Sequence, residues 1–591
     1  MPKSGLVGPG ADRLIRRARR KTIQLGAAVA AALALIAGTS AVATPAAQAS
    51  TTETVIVSST GALSPVNAVI NALGTVITQF HIINGVEATI PRSAVSLLNA
   101  LPGITVTPDV SVTVQSAESS TPESTGPHTP SDAFLQQTGA TTLAADGDTG
   151  QGVTVAVLDT GIDNLPDFSG RLIGGVDLSG GGQPFSDGYG HGTFVAGLIA
   201  GDGASSNGQY SGEAPGANLV SIKVANANGD TDLATLIQGL QWAVDNEGTY
   251  NIKVLNISLG FKPFESTVVN PLDQAVEAAW NSGITVVTSA GNAGPSDGTI
   301  LSPGDDPLAI TVGALDDLAQ PNVANDEMND FSSVGPTTPD GWAKPDLVTS
   351  GRSVVSLAAP GSTVYNDNPS AQIGSGNFVG SGTSFSAAIV SGAAALVLAD
   401  NPNLTPDQVK ARLLGTTNPG PVGNPYVDGH GALNAYAAAT AGPMDFNQSS
   451  PPSVQTAIGQ TVSLSPLRGL STWNASLWSG TPWSGNGSSG GSGTLTGLLG
   501  SLLGGALGGS GSGPGNGDNW VGSAWNGWAW TGSAWNNGGW SGSAWNGGGW
   551  SGSAWNGGGW NSNAWNSSSW GTGAASGAAG AGLAFDSSAW D

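Results

Sequence analysis

Val153-Thr154-Val155-Ala156-Val157-Leu158-Asp159 is a short, mostly apolar run that stops on an acid. A run of this length, set off by glycines, reads as a strand buried on both faces. Comparable β-rich runs recur at residues 218–223, 253–258, 285–289 and 309–312. Helix-like patterns lie between several of them, at 233–246 and 271–280. This alternation predicts an α/β fold, a parallel sheet with helices on both faces. Sites in such folds form beyond the carboxyl ends of the strands. Asp159 sits at one of those ends.

Two other stretches carry matching chemistry. Gly190-His191-Gly192-Thr193 opens the apolar run 193–200, and Ser381-Gly382-Thr383-Ser384-Phe385-Ser386-Ala387 opens another at 387–399. His191 and Ser384 therefore both stand where a helix starts. A serine hydroxyl is a weak nucleophile until a base in hydrogen-bond reach takes its proton. His191 can be that base, and Asp159 can hold its tautomer and stabilise the imidazolium. The helix start at Ser384 offers free N–H groups to a developing oxyanion, and Ser289-Ala290-Gly291-Asn292 adds an amide. An α/β-hydrolase elbow needs G-x-S-x-G and a Ser that precedes its acid and His. Here the block is G-x-S-x-S and the Ser comes last.

Asp159-Thr160-Gly161-Ile162-Asp163, His191-Gly192-Thr193 and Gly382-Thr383-Ser384, in that order, resemble the three signature blocks of the subtilisin-like serine proteases. The resemblance runs over residues 132–441. It implies a subtilisin-like sheet flanked by helices and peptide-bond hydrolysis through a Ser384 acyl-enzyme. By motif it implies Asn292 as the oxyanion amide and Ser258-Leu259-Gly260 as the edge that pairs with substrate backbone. Ser289-Ala290-Gly291 would flank the primary specificity pocket. Pro303 matches a proline often cis in the family, and Asp167 matches a calcium ligand. No cofactor is implied for the chemistry, and any calcium would be structural. His430 falls in the motif that closes the domain and reads as structural.

The chain departs from the pattern at three positions. Phe194 stands where many relatives have a second His, and an apolar helix residue there should be harmless. Ala388 stands where Pro is common, which relaxes the first turn of the helix bearing Ser384 and predicts a slightly displaced nucleophile. Leu301 stands where Gly is frequent, which predicts a narrowed pocket preferring small or medium apolar side chains.

The flanks read differently. Residues 1–49 combine the basic run Arg16-Arg17-Ala18-Arg19-Arg20-Lys21, an apolar stretch and Ala47-Gln48-Ala49, the pattern of an export signal cleaved before Ser50. Residues 50–113 order as β-α-β-β-α-β around the two-residue turn Asn84-Gly85, a small α+β ferredoxin-like module. Its place before a serine enzyme, and its similarity to the family's inhibitory propeptide, imply a removable intramolecular inhibitor. Its His81 reads as a bland strand-edge residue. Residues 114–131 form a proteolysis-prone linker.

Past residue 441 the composition changes. Residues 442–519 read as a Gly/Ser-rich linker, and 520–591 as a repeat tail holding a Trp every five residues from Trp520 to Trp570. An odd period in an extended chain puts successive rings on opposite faces, suited to stacking on sugars, cell-wall polymer or the ribbon itself. The tail motivates the competing reading, a surface or wall-binding protein whose protease domain is degenerate or narrow in role. Intact Asp159, His191, Ser384 and Asn292 argue against degeneration.

The 591 residues contain no cysteine, so disulfides and thiolate metal sites are excluded. Net charge is −24, and seven of the 17 basic residues fall within residues 1–21. Such an acidic body should repel nucleic acid and suits a soluble, solvated protein, with room for bound cations; the export signal implies secretion, and the family resemblance implies protein or peptide substrates.

Overall fold

A computed structural model describes residues 52–61, 63–101, 103–114 and 129–442, with short strands between 453 and 566. The export signal and residues 115–128 of the linker between module and large domain fall outside the described residues.

The N-terminal module contains β1 (Thr52–Ser59), α1 (Leu63–Leu73), β2 (Thr75–Phe80), β3 (Gly85–Pro91), α2 (Arg92–Asn99) and β4 (Ile104–Pro108). Its antiparallel sheet runs β2-β3-β1-β4. Successive strand residues face opposite ways, and both faces of β1 are used. Val55 and Val57 pack with Val66, Ile70 and Leu98 of the module's own helices. Ile56 between them joins the core of the following domain, as do Phe80 and Ile83. The expected two-residue hairpin is a four-residue turn, His81–Asn84, because Gly85 already pairs with Phe80. The longer turn lets Ile83 reach the neighbouring core, and Asn84 takes the left-handed conformation (φ 49°).

After β5 (Ser111–Thr113) the large domain follows: β6 (Thr154–Asp159), β7 (Leu172–Asp177), α3 (His191–Ala200), β8 (Asn218–Lys223), β9 (Asp230–Asp232) and α4 (Leu233–Asp245). Then come β10 (Ile252–Ile257), α5 (Pro271–Asn281), β11 (Thr285–Ser289), β12 (Ile310–Asp316), β13 (Glu327–Met328), β14 (Leu347–Ser350) and α6 (Thr383–Asp400). The main sheet runs β13-β12-β11-β10-β6-β8-β7, with β14 also on β12, and only β13 is antiparallel. Parallel order puts the carboxyl ends of β6, β10 and β11 side by side on one rim. The α6 helix is apolar all round because it is buried in the core. The Gly-rich β7 gave no apolar run to read. There Gly174 lies against the Tyr250 ring and Gly175 against the Ser221 backbone, where side chains would not fit.

In the tail the described strands pair residues twenty apart, in parallel register: Trp520 with Trp540, Trp525 with Trp545, Trp530 with Trp550. Strands from one repeat thus pair with strands from a later one. Stacking repeats gives these strands backbone partners that a lone ribbon lacks.

Candidate active site

Asp159 ends β6 and His191 begins α3. Asp159 is fully buried, and His191 Nδ1 lies 2.8 and 3.0 Å from its two carboxylate oxygens. Burial alone would lower the imidazole pKa. The charge and hydrogen bond of Asp159, with the charge of Asp187, outweigh it, and the net shift is upward. Gly192 permits this approach, since a Cβ there would run into the Gly161 backbone.

Asp187 was not singled out in the sequence, and it organises the histidine loop. Its carboxylate accepts from Thr160 Oγ1 (2.8 Å), the Gly190 N–H (2.7 Å) and the Thr193 N–H (2.8 Å). Thr160 in turn accepts from the Gly192 N–H at 2.9 Å. The available signal was an acid four residues before His191 in a glycine-punctuated loop.

Ser384 lies in the first turn of α6. Its hydroxyl donates to Ser258 O at 3.2 Å, and Ser258 Oγ donates to Ser384 O at 3.1 Å. His191 Nε2 has no hydrogen-bond partner, so the serine is turned to Ser258 instead of its expected base. Phe194 packs on Phe385 with ring centroids 4.3 Å apart, and Phe385 stands 5.6 Å from the His191 ring. Phe194 thus packs the wall between base and nucleophile.

Asn292 is oriented by Thr383, whose N–H and Oγ1 both donate to Asn292 Oδ1 at 2.9 Å. Its Nδ2 is left beside Gly382, 3.5 Å from the position a Cβ would take there. Thr383 Oγ1 also accepts from the Gly291 N–H at 3.1 Å. One threonine therefore ties the amide and the pocket edge to the helix of Ser384.

Ser258, Leu259 and Gly260 follow β10 on the rim, while Ser289, Ala290 and Gly291 finish β11 and continue from it. Leu301 lies between the two edges. A Cβ on Gly260 would sit 3.1 Å from Leu301 Cβ, and one on Gly291 only 2.6 Å from Leu301 Cγ. Gly291 also has φ 110°, a conformation that glycine accepts without strain. The Ser302–Pro303 bond is cis.

The residues around Asp167 do not fit calcium. Its Oδ1 accepts from the Ser205 N–H at 3.0 Å, and its Oδ2 from Ser205 Oγ. The Arg171 guanidinium donates to Ala200 O (2.6 Å), Ala217 O (3.1 Å) and the Asp167 carbonyl, with Asp202 at 3.6 Å. A fixed organic cation already gathers the oxygens of this loop. Among the described residues no three His, Asp or Glu side chains form a metal-holding group.

The N-terminal module reaches this domain along α4. The Ala234 N–H donates to Asp109 Oδ1 (2.9 Å) and the Leu233 N–H to Val110 O (3.0 Å). At the far end of α4, His81 Nε2 lies 2.9 Å from Asp245, and the His81 N–H donates to Gln241 at 2.8 Å. His81 is therefore an interface residue and no bland strand edge. Thr107 Oγ1 donates to Glu265 at 3.0 Å. Three carboxyls at this junction are raised mainly by burial: Asp109 to about 6, Glu265 to about 7, and Glu87 in direction.

Residues 150–441 match the profile described as the subtilase family. The chain is 44% identical over 293 residues to serine protease AprX of Bacillus subtilis, covering 49% of this chain and 66% of that one, just under two thirds. It is 33% identical over 370 residues to subtilisin NAT of Bacillus subtilis subsp. natto, covering 62% and 83%. In fold it resembles fervidolysin of Fervidobacterium pennivorans, with a TM-score of 0.53 and 24% identity over 70% of this chain and 64% of that one. With the catalytic fold, the ordered signature blocks and 83% of subtilisin NAT matched at 33% identity, the chain belongs to the subtilase family of serine proteases.

Proposed function

We infer that the protein is a serine endopeptidase that acts through Asp159, His191 and Ser384. The observation that carries this is the buried Asp159–His191 pair on the rim where α6 presents Ser384. Rotation of the Ser384 side chain moves Oγ from Ser258 O to His191 Nε2. Oγ then attacks the peptide carbonyl carbon as its proton passes to Nε2, and the oxyanion takes hydrogen bonds from Asn292 Nδ2 and the α6 N-terminus. Collapse passes the Nε2 proton to the leaving amine and breaks the C–N bond. Water, deprotonated by His191, releases the acyl group as a carboxylate and returns the proton to Ser384. Leu301 between Gly260 and Gly291 supports a narrow primary pocket that takes small or medium apolar side chains.

The remaining assignments build on this. The export signal supports a secreted, extracellular or surface-bound enzyme. The position of residues 50–113 along α4 supports their role as an intramolecular inhibitor removed during maturation. Arg171 serves in place of calcium at the Asp167 loop. The Trp repeats supply a contact for cell-wall polymer or polysaccharide. Fluorophosphonate labelling of the secreted protein beside Ser384→Ala tests the central reading. Labelling of wild type alone, on a fragment beginning between residues 114 and 135, is expected. An unlabelled full-length wild type would refute it.

A further inference from the structure

We propose that the Trp-repeat tail is a docking surface for the tail of a second copy of this chain, which adds head-to-tail at the end of the stack and continues it. The contact does not involve the triad and holds whether or not the chain is an endopeptidase.

The described tail strands form a stack with a fixed step. Residues 524–526, 544–546 and 564–566 pair in parallel, Ala524 with Ala544 and Ala544 with Ala564, and the middle strand lies between the other two. Residues 520–521 pair with 540–541, and 530–531 with 550–551, at the same step of twenty residues. The sequence unit is ten residues long, so each turn of the stack takes up two units. Like meets like along the ladder. Trp525, Trp545 and Trp565 share one register position, and Asn526, Asn546 and Asn566 the next. In-register aromatic and Asn ladders stabilise parallel stacks built from separate chains.

Such a pattern has no built-in end. A strand at the edge of a sheet presents a row of unpaired N–H and C=O groups, a template for a further strand. Among the described residues the outer strands, 524–526 and 564–566, are both Ala-Trp-Asn, the same as the strand between them. What pairs with the inner strand therefore fits the outer ones, and that is another turn of this repeat. Repeat stacks that stay monomeric end in atypical capping units, and natural edges are blunted by charge or proline. From Asn519 to Phe585 the chain has no charged residue and no proline, although its net charge is −24. No like charges within the repeat oppose a tail-to-tail junction. One edge of the stack meets the opposite edge of the next copy, so the contact is heterologous and builds an open row instead of a closed dimer.

The test uses the full secreted chain carrying Ser384→Ala, which prevents self-digestion, as the parent. Head-to-tail docking sets residue 564 of one copy against residue 524 of the next. Ala524→Lys with Ala564→Lys puts like charges at that junction, and Ala524→Asp with Ala564→Lys puts opposite charges there. Within one chain Ala544 separates the two positions in both variants, so a single tail carries the same burden in each. Sedimentation velocity over a concentration series should show the parent growing into oligomers. The opposite-charged variant should associate about 10-fold more tightly than the like-charged one. A parent that stays monomeric overturns the proposal, as does equal association of the two variants. Monomeric parent that cosediments with insoluble peptidoglycan overturns it too, and gives the tail to wall polymer.

Discussion

His191 shows how two buried carboxylates set a working pH. Its imidazole pKa is raised because Asp159 and Asp187 together outweigh the cost of burial. The base works only when neutral, so the acid limb of kcat/KM follows that raised value. Asp187→Asn keeps an oxygen for the loop N–H groups but removes the second charge. Its acid limb should move to lower pH, read from the pH profile of kcat/KM. An unmoved limb would assign Asp187 a purely structural role. Asn292 is a second case: Thr383 holds its oxygen, so its N–H end is already oriented for an oxyanion. Removing an oxyanion donor from a subtilisin lowers kcat by about 10²–10³. The same loss is expected for Asn292→Ala, with little change in KM.

At the scale of elements, the sheet rim is held by loops with their own internal ties. Arg171 gathers three carbonyl oxygens between β7 and the end of α3. Arg171→Ala should cost about 2–4 kcal/mol, because those carbonyls lose their donor inside the fold. Chelator should shift the unfolding temperature of wild type and of Asp167→Asn equally; a chelator effect lost in Asp167→Asn would mark Asp167 as a metal ligand. Glu213 adds a pH-dependent weakness. It is buried, one oxygen accepts from Thr138 Oγ1 at 3.1 Å, and the other has no partner. Burial raises its pKa to about 8. A carboxyl raised on folding favours the native state below its unfolded pKa, and that contribution is lost as pH rises through about 8. Glu213→Gln should therefore flatten the fall of melting temperature between pH 5 and pH 9, measured calorimetrically on the Ser384→Ala background.

At the scale of the whole molecule, the N-terminal module and the large domain share one apolar cluster through Ile56, Phe80 and Ile83. Their junction also buries acids. Asp109 and Glu265, at about 6 and about 7, are raised while the two parts are together and become solvated once they separate. The docked state thus holds more protons. Its stabilisation is complete at acid pH and is lost as pH rises through 6 to 7. Release of the N-terminal fragment after self-cleavage should accelerate between pH 5 and pH 8, and Asp109→Asn with Glu265→Gln should blunt that dependence. Gel filtration of processed protein at each pH reads the outcome, and a release rate indifferent to pH would count against it.

Asp159, His191 and Ser384 were legible because each closes or opens a regular element at a glycine-marked junction. Such junctions depend on local backbone sterics and on hydrophobic period, both of which are written in contiguous residues. The parallel sheet was legible for the same reason, except at β7, whose glycines serve contacts with Tyr250 and Ser221 from distant parts of the chain. What sequence could not supply was any relation between residues far apart. The role of Asp187, the tie from Thr383 to Asn292, and the guanidinium at the Asp167 loop arise from side chains that meet only in the folded chain. Chain order determined the signature; through-space packing and charge decided how the site is held, closed and made selective.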